Sequence, residues 1–477
     1  MSWRVLLCLL IFGVQQVRAQ ESSSPQVLEE EQYIQMVRAH HPVIRQAFLL
    51  RSQAEAMEQK ARGAFDPKLF TNVEQKSFDR KDYFTIGEGG VKVPSWYGLE
   101  AKASYLWSNG DFLNPENKLP SAGQAVLGIS ANVLQGLLID ERRAALQQAK
   151  ILKDLNEAEQ RAIVNDLLLA ARKTYWEWSY AYQRTVIYQN ALEFAQEQFA
   201  AVRESYLQGD KPAIDTLESA IAVQTRQVQL NDAQMEYQNA RLLLSNFLWS
   251  TDNVPLELAE NIRPTTLAIM VVMPTSAIEL DGLLQQMQQN HPSLRAYTFK
   301  LAQLDVDRKL KTDKLKPKLQ LDYNLLSNGR DFINNNGSDN GSFNALFTEN
   351  YKWGARFSFP LLLRKERASI ELNQVKTLDT EFKFQQKQLE LENKLKSAFQ
   401  EQQNFALQIQ TQEQMVQNYQ RLLEAETEKF QIGESSIFLI NSRQQKLIDA
   451  QLKTAKLQVA FQKAQASLRW AVGNVGN

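Results

Sequence analysis

The sequence is poor in cysteine, histidine and long apolar runs. Its one cysteine, Cys8, lies close to the first residue, and there are only three histidines, so disulfides, thiol catalysis and cysteine metal sites are excluded from the rest of the chain. Basic and acidic residues number 54 each, and because no basic stripe stands out, nucleic acid is not an expected partner. Without convergent acids, bases or ligands, we expect no enzyme, no cofactor and no metal site.

The first segment has the pattern of a secretory signal peptide. A short charged start precedes an apolar run from Val5 to Val14, and a small residue, Ala19, follows. We therefore expect residues 1–19 to be removed from an exported protein. Beyond them no apolar stretch has the roughly 18 or more residues of a membrane helix, so a membrane-embedded part of this chain is expected to be a closed β-barrel.

An internal repeat organises the rest of the chain. His41-Pro42 recurs as His291-Pro292, and Pro67-Lys68-Leu69 recurs as Pro317-Lys318-Leu319 at the same spacing. Farther on the spacing shortens, which indicates an insertion between the strands of the first half. Each half is expected to contain a helix, strands, a long helix, a glycine turn and a return helix.

The long helices are predicted from two stretches without glycine or proline, each long enough for a helix of about 100 Å. A glycine ends each stretch, as is common at helix C-termini. The predicted bounds are a first repeat at 20–250 with strands at about 66–135, a long helix at 137–208 and a return helix at 212–250; a linker at 251–276; and a second repeat at 277–477 with strands at about 317–360, a long helix at 361–432 and a return helix at 436–472.

Apolar residues in the long helices follow steps of four and three, as in coiled coils. This spacing predicts that the helices pack side by side. The residues are Val164, Leu168, Ala171, Tyr175, Trp178 and Tyr182 in the first helix, and Val375, Leu378, Phe382, Leu391, Leu395 and Ala398 in the second.

The predicted strands alternate between apolar and polar residues. Strands of about ten residues with one wet face suit a barrel that crosses a bilayer, and a soluble sheet fits the alternation equally well. Polar segments at 108–124 and 328–350 favour the membrane interpretation as exterior loops. The polar residues that this interpretation places in a water-filled lumen are Ser130, Asn132, Arg356 and Ser358.

The number of strands bears on the oligomeric state. Two strands per half give four per chain, whereas the smallest membrane barrels have eight. Three chains would supply twelve strands, so we expect a homotrimer. One ambiguity stays open, because Tyr97–Trp107 also alternates. Either the first half has an extra outer hairpin, or the strand after Pro67 is not the membrane one.

This order of elements resembles the TolC family of outer-membrane efflux proteins over nearly the whole mature chain. The resemblance implies a mainly α fold with β, in which duplicated long antiparallel helical hairpins form an α-barrel and three chains share a transmembrane β-barrel. It also implies a Gram-negative outer-membrane location, contact with lipid and a large periplasmic portion. By resemblance, the protein is the exit duct of a tripartite efflux or type I secretion system. It would dock to a periplasmic adaptor protein that is linked to an inner-membrane pump.

The resemblance assigns roles to the two glycine turns. The residues that match the family's hairpin tips, and that are expected to dock the adaptor, are Gln208, Gly209, Ile432, Gly433, Glu434 and Ser435. Asp215 matches an acidic gate residue, and its counterpart in the second half is Leu439. Ser442 and Ser435 stand where family members often have an acidic and a basic residue, so the charged lock of some members is not reproduced here.

Two other functions fit the pattern. One is a barrel-anchored trimeric coiled-coil tether without transport activity. The other is a periplasmic adaptor, although adaptors carry one helical hairpin rather than two equivalent units.

Overall fold

The computed structural model describes residues 26–121, 123–267, 274–327 and 350–474. The expected signal peptide at 1–19 and nearly all of the expected loop at 328–350 lie outside these residues. The described chain is mainly helical with one large sheet. None of its helices combines the length and the apolar character that crossing a membrane requires.

The described residues of the first half form four α-helices and most of the strands. In order, they are β1 (Gln26–Leu28), α1 (Glu30–His40), α2 (Pro42–Arg62), β2 (Lys68–Phe78), β3 (Lys81–Pro94), β4 (Leu99–Asn109), β5 (Gln124–Asn132), α3 (Glu141–Leu207), α4 (Ala213–Ser245) and β6 (Ile262–Pro264).

The second half repeats the order of a helix pair, strands, a long helix and a return helix. Its elements are α5 (Ala277–Asn290), α6 (Pro292–Asp313), β7 (Lys318–Leu326), β8 (Tyr351–Ser358), α7 (Arg364–Gln431) and α8 (Ile437–Val472). Proline occupies the first position of α2 and α6, where its missing N–H costs no helical hydrogen bond. The equivalence of the two halves as structural repeats remains a prediction.

The large sheet is antiparallel, and its strand order is β2-β3-β4-β5-β7-β8. The sequence-based count of two strands in the first half is therefore wrong, because this half contributes four strands to the sheet. Of the two alternatives left open, the extra hairpin is the correct one, and β2 and β3 form it. The strand after Pro67 belongs to that hairpin, while β4 is the strand that pairs with β5.

The chain divides into two compact units. Unit 1 contains residues 26–41, 171–267 and 405–463, and its core lies between α3, α4 and α8. Buried Arg172 fastens α1 to α3 by donating to Glu30 Oε1 at 2.8 Å and to Glu31 Oε2 at 3.0 Å. A second core cluster fills the ends of α3, α7 and α8, with Val202, Leu423, Phe430, Ile437, Ile440 and Leu447.

Unit 2 contains residues 42–121, 123–170, 274–327, 350–404 and 464–474, including the large sheet. The helix junction at His291 shows how its helices are joined. The backbone N–H of Ser293 donates to His291 Nδ1 at 3.2 Å, and the imidazole lies edge-on to Trp470. Burial, with a smaller contribution from Lys387, lowers the pKa of His291 to about 4. His291 thus lies at the junction between α5 and α6.

The predicted apolar stripe is buried in α3 but only partly in α7. Leu168, Ala171, Tyr175 and Trp178 are fully buried, which confirms packing along α3. In α7 Leu391, Leu395 and Ala398 are buried, whereas Val375, Leu378 and Phe382 are 58%, 51% and 65% exposed. No described element of unit 2 covers these three side chains in the single chain, so their packing against another helix stays a prediction.

Candidate functional site

The strand pairings of the sheet sort its residues onto two faces with different chemistry. Directly opposed residues of an antiparallel pair point to the same side, so the registers define each face. On one of them, called the polar face, lie the basic residues Lys68, Lys76, Lys92, Lys102, Lys318, Lys352 and Arg356 and the acidic residues Glu74, Glu88, Glu100 and Asp322. Basic residues outnumber acidic ones.

The other face is called the apolar face. In the described sheet, none of its paired positions from Leu69 to Gln75 or from Thr85 onward holds a charged residue. Large apolar side chains stand out from it. Leu69 is 85% exposed, and Leu127, Ile129, Tyr323, Trp353 and Phe357 are exposed as well. Along β4, β5 and β7 the apolar-face residues are more exposed than most polar-face neighbours, which indicates that the sheet curls toward its polar side.

The four residues predicted to line a lumen all lie on the polar face. Ser130 is opposed to Glu100 on one side and to Asp322 on the other. Asn132 is opposed to Gln320, which accepts a long hydrogen bond from Arg356 at 3.5 Å. Ser358 is opposed to Lys318. The structure therefore brings these side chains onto one continuous hydrophilic surface.

Lysines are aligned across the strands of the polar face. Lys68, Lys92 and Lys102 are successive partners in the register, and the same row continues through Gly128 and Asn324 to Lys352. The ammonium groups of Lys92 and Lys102 lie 4.8 and 5.4 Å from the centre of the Phe70 ring, and Lys102 also forms an ion pair with Glu88. This row was not predicted, since it depends on the register between strands.

The second candidate region lies in unit 1, at the ends of the long helices. We call residues Gln208–Pro212 the first turn and Ile432–Ser436 the second turn. Both have a glycine in the left-handed region, with φ of +87° at Gly209 and +83° at Gly433. A Cβ at either position would meet no atom within 4 Å, so the backbone conformation alone favours glycine there.

The two turns have the same hydrogen-bond pattern. The N–H of Asp210 donates to the carbonyl of Ser205 at 2.9 Å, and that of Gly209 donates to Tyr206 at 3.0 Å. In the second turn Glu434 donates to Lys429 at 2.8 Å and Gly433 to Phe430 at 3.1 Å. This pair of bonds is the Schellman motif, which satisfies carbonyls at a helix C-terminus.

Side chains anchor the turns in different ways. The second turn is held by Ser435, whose hydroxyl donates to Glu426 Oε1 at 2.5 Å, while Arg443 Nε lies 3.4 Å from Glu426 Oε2. The hydrogen bond from Ser435, followed by that from Arg443, holds the pKa of Glu426 below its usual range, although burial opposes this shift. The first turn has Lys211, whose ammonium lies 4.3 Å from the centre of the Phe430 ring.

The remaining predicted turn and gate residues lie at or next to the turns. Gln208, Gly209, Gly433 and Glu434 are exposed, Ile432 is 70% exposed, and Ser435 is half-buried. Asp215 is half-buried and lies three residues into helix α4, just after the turn Gln208–Pro212. Leu439 and Ser442 lie near the start of α8. Exposed Ile214 and Phe438 occupy equivalent positions after the two glycines. The contacts of Glu426 with Ser435 and Arg443 were not predicted from the sequence, because Glu426 lies outside the second turn.

The fold of this chain is similar to that of solved outer-membrane channels. The Neisseria gonorrhoeae MtrE outer membrane channel, in its open state, has a TM-score of 0.65 at 12% identity over 93% of this chain and 89% of that one. The Campylobacter jejuni CmeC outer membrane channel has a TM-score of 0.63 at 13% identity, over 93% and 85%. The Vibrio cholerae outer membrane protein VceC has a TM-score of 0.63 at 14% identity, over 93% and 96%.

A profile of outer membrane efflux proteins matches residues 33–248 and 283–474. The chain therefore belongs to the outer membrane efflux protein family, which confirms the resemblance predicted from its sequence. No curated protein matches it by sequence. Among the described residues no group of histidine, cysteine, aspartate or glutamate could hold a metal ion.

Proposed function

We propose that this protein is the passive exit duct of a tripartite efflux or type I secretion system in the outer membrane of a Gram-negative bacterium. Three copies share a transmembrane β-barrel, and the duplicated antiparallel helical hairpins form a periplasmic α-barrel. A periplasmic adaptor binds the helix turns and connects the duct to an inner-membrane pump. The pump supplies the energy for transport.

The observation that supports the proposal is that the charged residues of the paired strands described above lie on the polar face of the sheet and not on the apolar face. A basic side chain facing lipid at the bilayer midplane costs about 2–4 kcal/mol. A soluble sheet with that face wetted would have no reason to keep it free of charge. The apolar face therefore suits lipid, and the polar face, with Ser130, Asn132, Arg356 and Ser358, suits a water-filled lumen.

The exposed part of the α7 stripe supports assembly from several copies. Val375, Leu378 and Phe382 follow coiled-coil spacing and are more than half exposed in the single chain. A narrow apolar stripe of this kind is usually buried against another helix. In the proposed homotrimer, this stripe packs against a second copy of the chain.

The two turns supply the docking surface for the adaptor. Exposed Ile214, Ile432 and Phe438 provide apolar contacts, and Gln208 and Glu434 provide polar ones. Such a mixture of apolar anchors within a polar rim is typical of protein interfaces. Asp215, Leu439 and Ser442 form the gate next to the turns, and because they include no charged pair, docking can open the gate without breaking an ion pair.

Recordings in planar lipid bilayers test conduction. We expect ohmic current steps without nucleotide, and larger steps for Gly433→Pro, because proline cannot adopt the left-handed φ of this position and loosens the turn. Ser436→Pro is the matched control, since the equivalent position in the first turn is already a proline, Pro212, that precedes α4. A tether without a pore would give no current for any of the three proteins.

Site-specific photocrosslinking in cells tests docking. A benzophenone amino acid at Ile432 or Phe438 should capture one periplasmic protein with a helical hairpin, identified by mass spectrometry. The same amino acid at Leu407, which is equally exposed on α7 but distant in sequence from the turns, is the control. Capture at Leu407 alone would contradict docking at the turns.

A further inference from the structure

The extra hairpin of the first half is built into the sheet. Partners run without interruption from Thr85 opposite Asn109 to Pro94 opposite Glu100. At Gly90 a Cβ would lie 2.4 Å from the carbonyl oxygen of Ala103, so the backbones of β3 and β4 approach closely. The edge of β4 that faces away from β5 is therefore fully occupied.

A side-chain contact fixes the same joint on the apolar face. Gly87 is opposed to Trp107, and a Cβ at Gly87 would lie 2.0 Å from the indole ring. The ring thus covers the glycine, a pairing by which an aromatic residue stabilises a glycine in the neighbouring strand. Because both backbone and side chains join β3 to β4, the hairpin is an integral part of the sheet rather than a flap beside it.

This arrangement leaves β2 and β8 as the two outer strands of the described sheet. An outer strand presents a row of unpaired backbone groups, and in lipid such groups must find partners. Every neighbouring pair in the sheet is antiparallel, so β2 and β8 run in opposite directions. The β2 of one copy can therefore continue the antiparallel order beside the β8 of the next.

The chemistry of β2 also continues that of the sheet. Leu69 and Val73 lie on the apolar face, 85% and 59% exposed, while Lys68 and Glu74 lie on the polar face. With 11 residues, β2 has the length of a strand that crosses a bilayer, about 9–11 residues.

We propose that the barrel closes through pairing of β2 with β8 of a second copy, so that three copies form a barrel of eighteen strands. This inference rests on the proposed function. It replaces the twelve strands expected from the sequence, since the described part of each chain contributes six strands to the sheet. Barrel diameter grows roughly in proportion to strand number, so the lumen is about half as wide again as that of a twelve-stranded barrel.

Disulfide crosslinking in membranes tests the proposed pairing of β2 with β8 of a second copy, which we call the seam. The only native cysteine, Cys8, lies in the expected signal peptide. Cysteine is placed at Leu69 or Val73 in β2 and at Trp353 or Phe357 in β8, giving four double variants of the full chain. We expect at least one of them to give oxidised dimers and trimers on non-reducing gels. Val91 and Ala103 are register partners. The variant with cysteine at both positions should therefore form a disulfide within one chain and should give no ladder of crosslinked dimers and trimers.

In the rival arrangement β4, rather than β2, pairs with β8 of a second copy. It is tested in the same way with Ala101→Cys or Ala103→Cys in β4 combined with either β8 cysteine. These pairs should give no ladder in the full chain, but they should crosslink once residues 68–94 are deleted and the edge of β4 is exposed. A ladder from β4 and β8 in the full chain, or none from β2 and β8 while sedimentation shows trimers, would overturn the seam and leave the duct intact. Monomers throughout would overturn both proposals.

Discussion

The candidate sites in the sheet and in the two helix turns depend on different structural features: the direction of the side chains in the sheet and the backbone conformation in the turns. In the sheet the face to which a residue points decides its environment, so Ile129 and Ser130 lie on chemically different faces although they are adjacent. In the turns the backbone conformation is repeated and the side chains differ, as with Lys211 in the first turn and Ser435 in the second. One region is therefore sensitive to charge, and the other is sensitive to backbone conformation.

The largest effect is expected from a charge on the apolar face. Ile129→Arg should destabilise the assembled protein in lipid by about 2–4 kcal/mol, because the guanidinium would face hydrocarbon. Unfolding by urea in lipid vesicles, followed by gel mobility of the assembled form, measures the loss. Ser130→Arg is the matched control on the neighbouring residue, and it should cost less than about 1 kcal/mol. Equal losses for the two variants would remove the distinction between the faces.

An intermediate effect is expected from the turn glycines. Gly209→Ala and Gly433→Ala should each cost about 1–2 kcal/mol locally, because alanine is strained at positive φ. Hydrogen exchange of the amides in the two turns should then rise about 5–30-fold. Gly282→Ala in α5 is the control, as this glycine has no positive φ and open space around it. Unequal responses of the two turns would show that their side chains matter more than their backbones.

A pH-dependent effect should appear in the second turn alone. The pKa of Glu426 is lowered by Ser435 and Arg443, so its contribution is fully present above the ordinary carboxyl pKa and is lost as the pH falls through the lowered value. Hydrogen exchange at Gly433 and Glu434 should therefore quicken in acid, and Glu426→Gln should abolish this dependence. An equal acid response in the first turn would contradict the assignment to Glu426.

The smallest effect on stability is expected from the lysine row. Replacing Lys68, Lys92 and Lys352 together by glutamine should change stability by about 0.5 kcal/mol or less per residue. The same change should shift the reversal potential of bilayer currents from anion preference toward cations, because these ammonium groups set the field of the proposed lumen. Lys383→Gln replaces an exposed lysine on α7, away from the sheet, and should leave the reversal potential unchanged. No shift in the triple variant would place the row outside the conducting path.

Much of the fold follows from local sequence signals. Glycine and proline mark the ends of the long helices, and the two turn glycines adopt the conformation that only glycine enters at little cost. The faces of β5, β7 and β8 could be predicted because alternation with a period of two does not depend on which strand is the neighbour.

Other features require the three-dimensional partners. The sequence leaves the hairpin of β2 and β3 open because it has no counterpart among the described residues of the second half and because Gly87, Gly89 and Gly90 weaken the strand pattern of β3. The lysine row depends on register across six strands, and the link from Glu426 to Ser435 and Arg443 depends on the packing of α7 against α8. The exposed α7 stripe shows the same limit, since spacing predicts a contact but not whether it lies within one chain.

The most direct test of the central claim is the mass and solubility of the protein extracted from membranes. We expect sedimentation and native mass spectrometry in detergent to give three chains per particle, and removal of detergent to cause aggregation because the apolar face becomes exposed to water. A monomer that stays soluble without detergent would contradict the account.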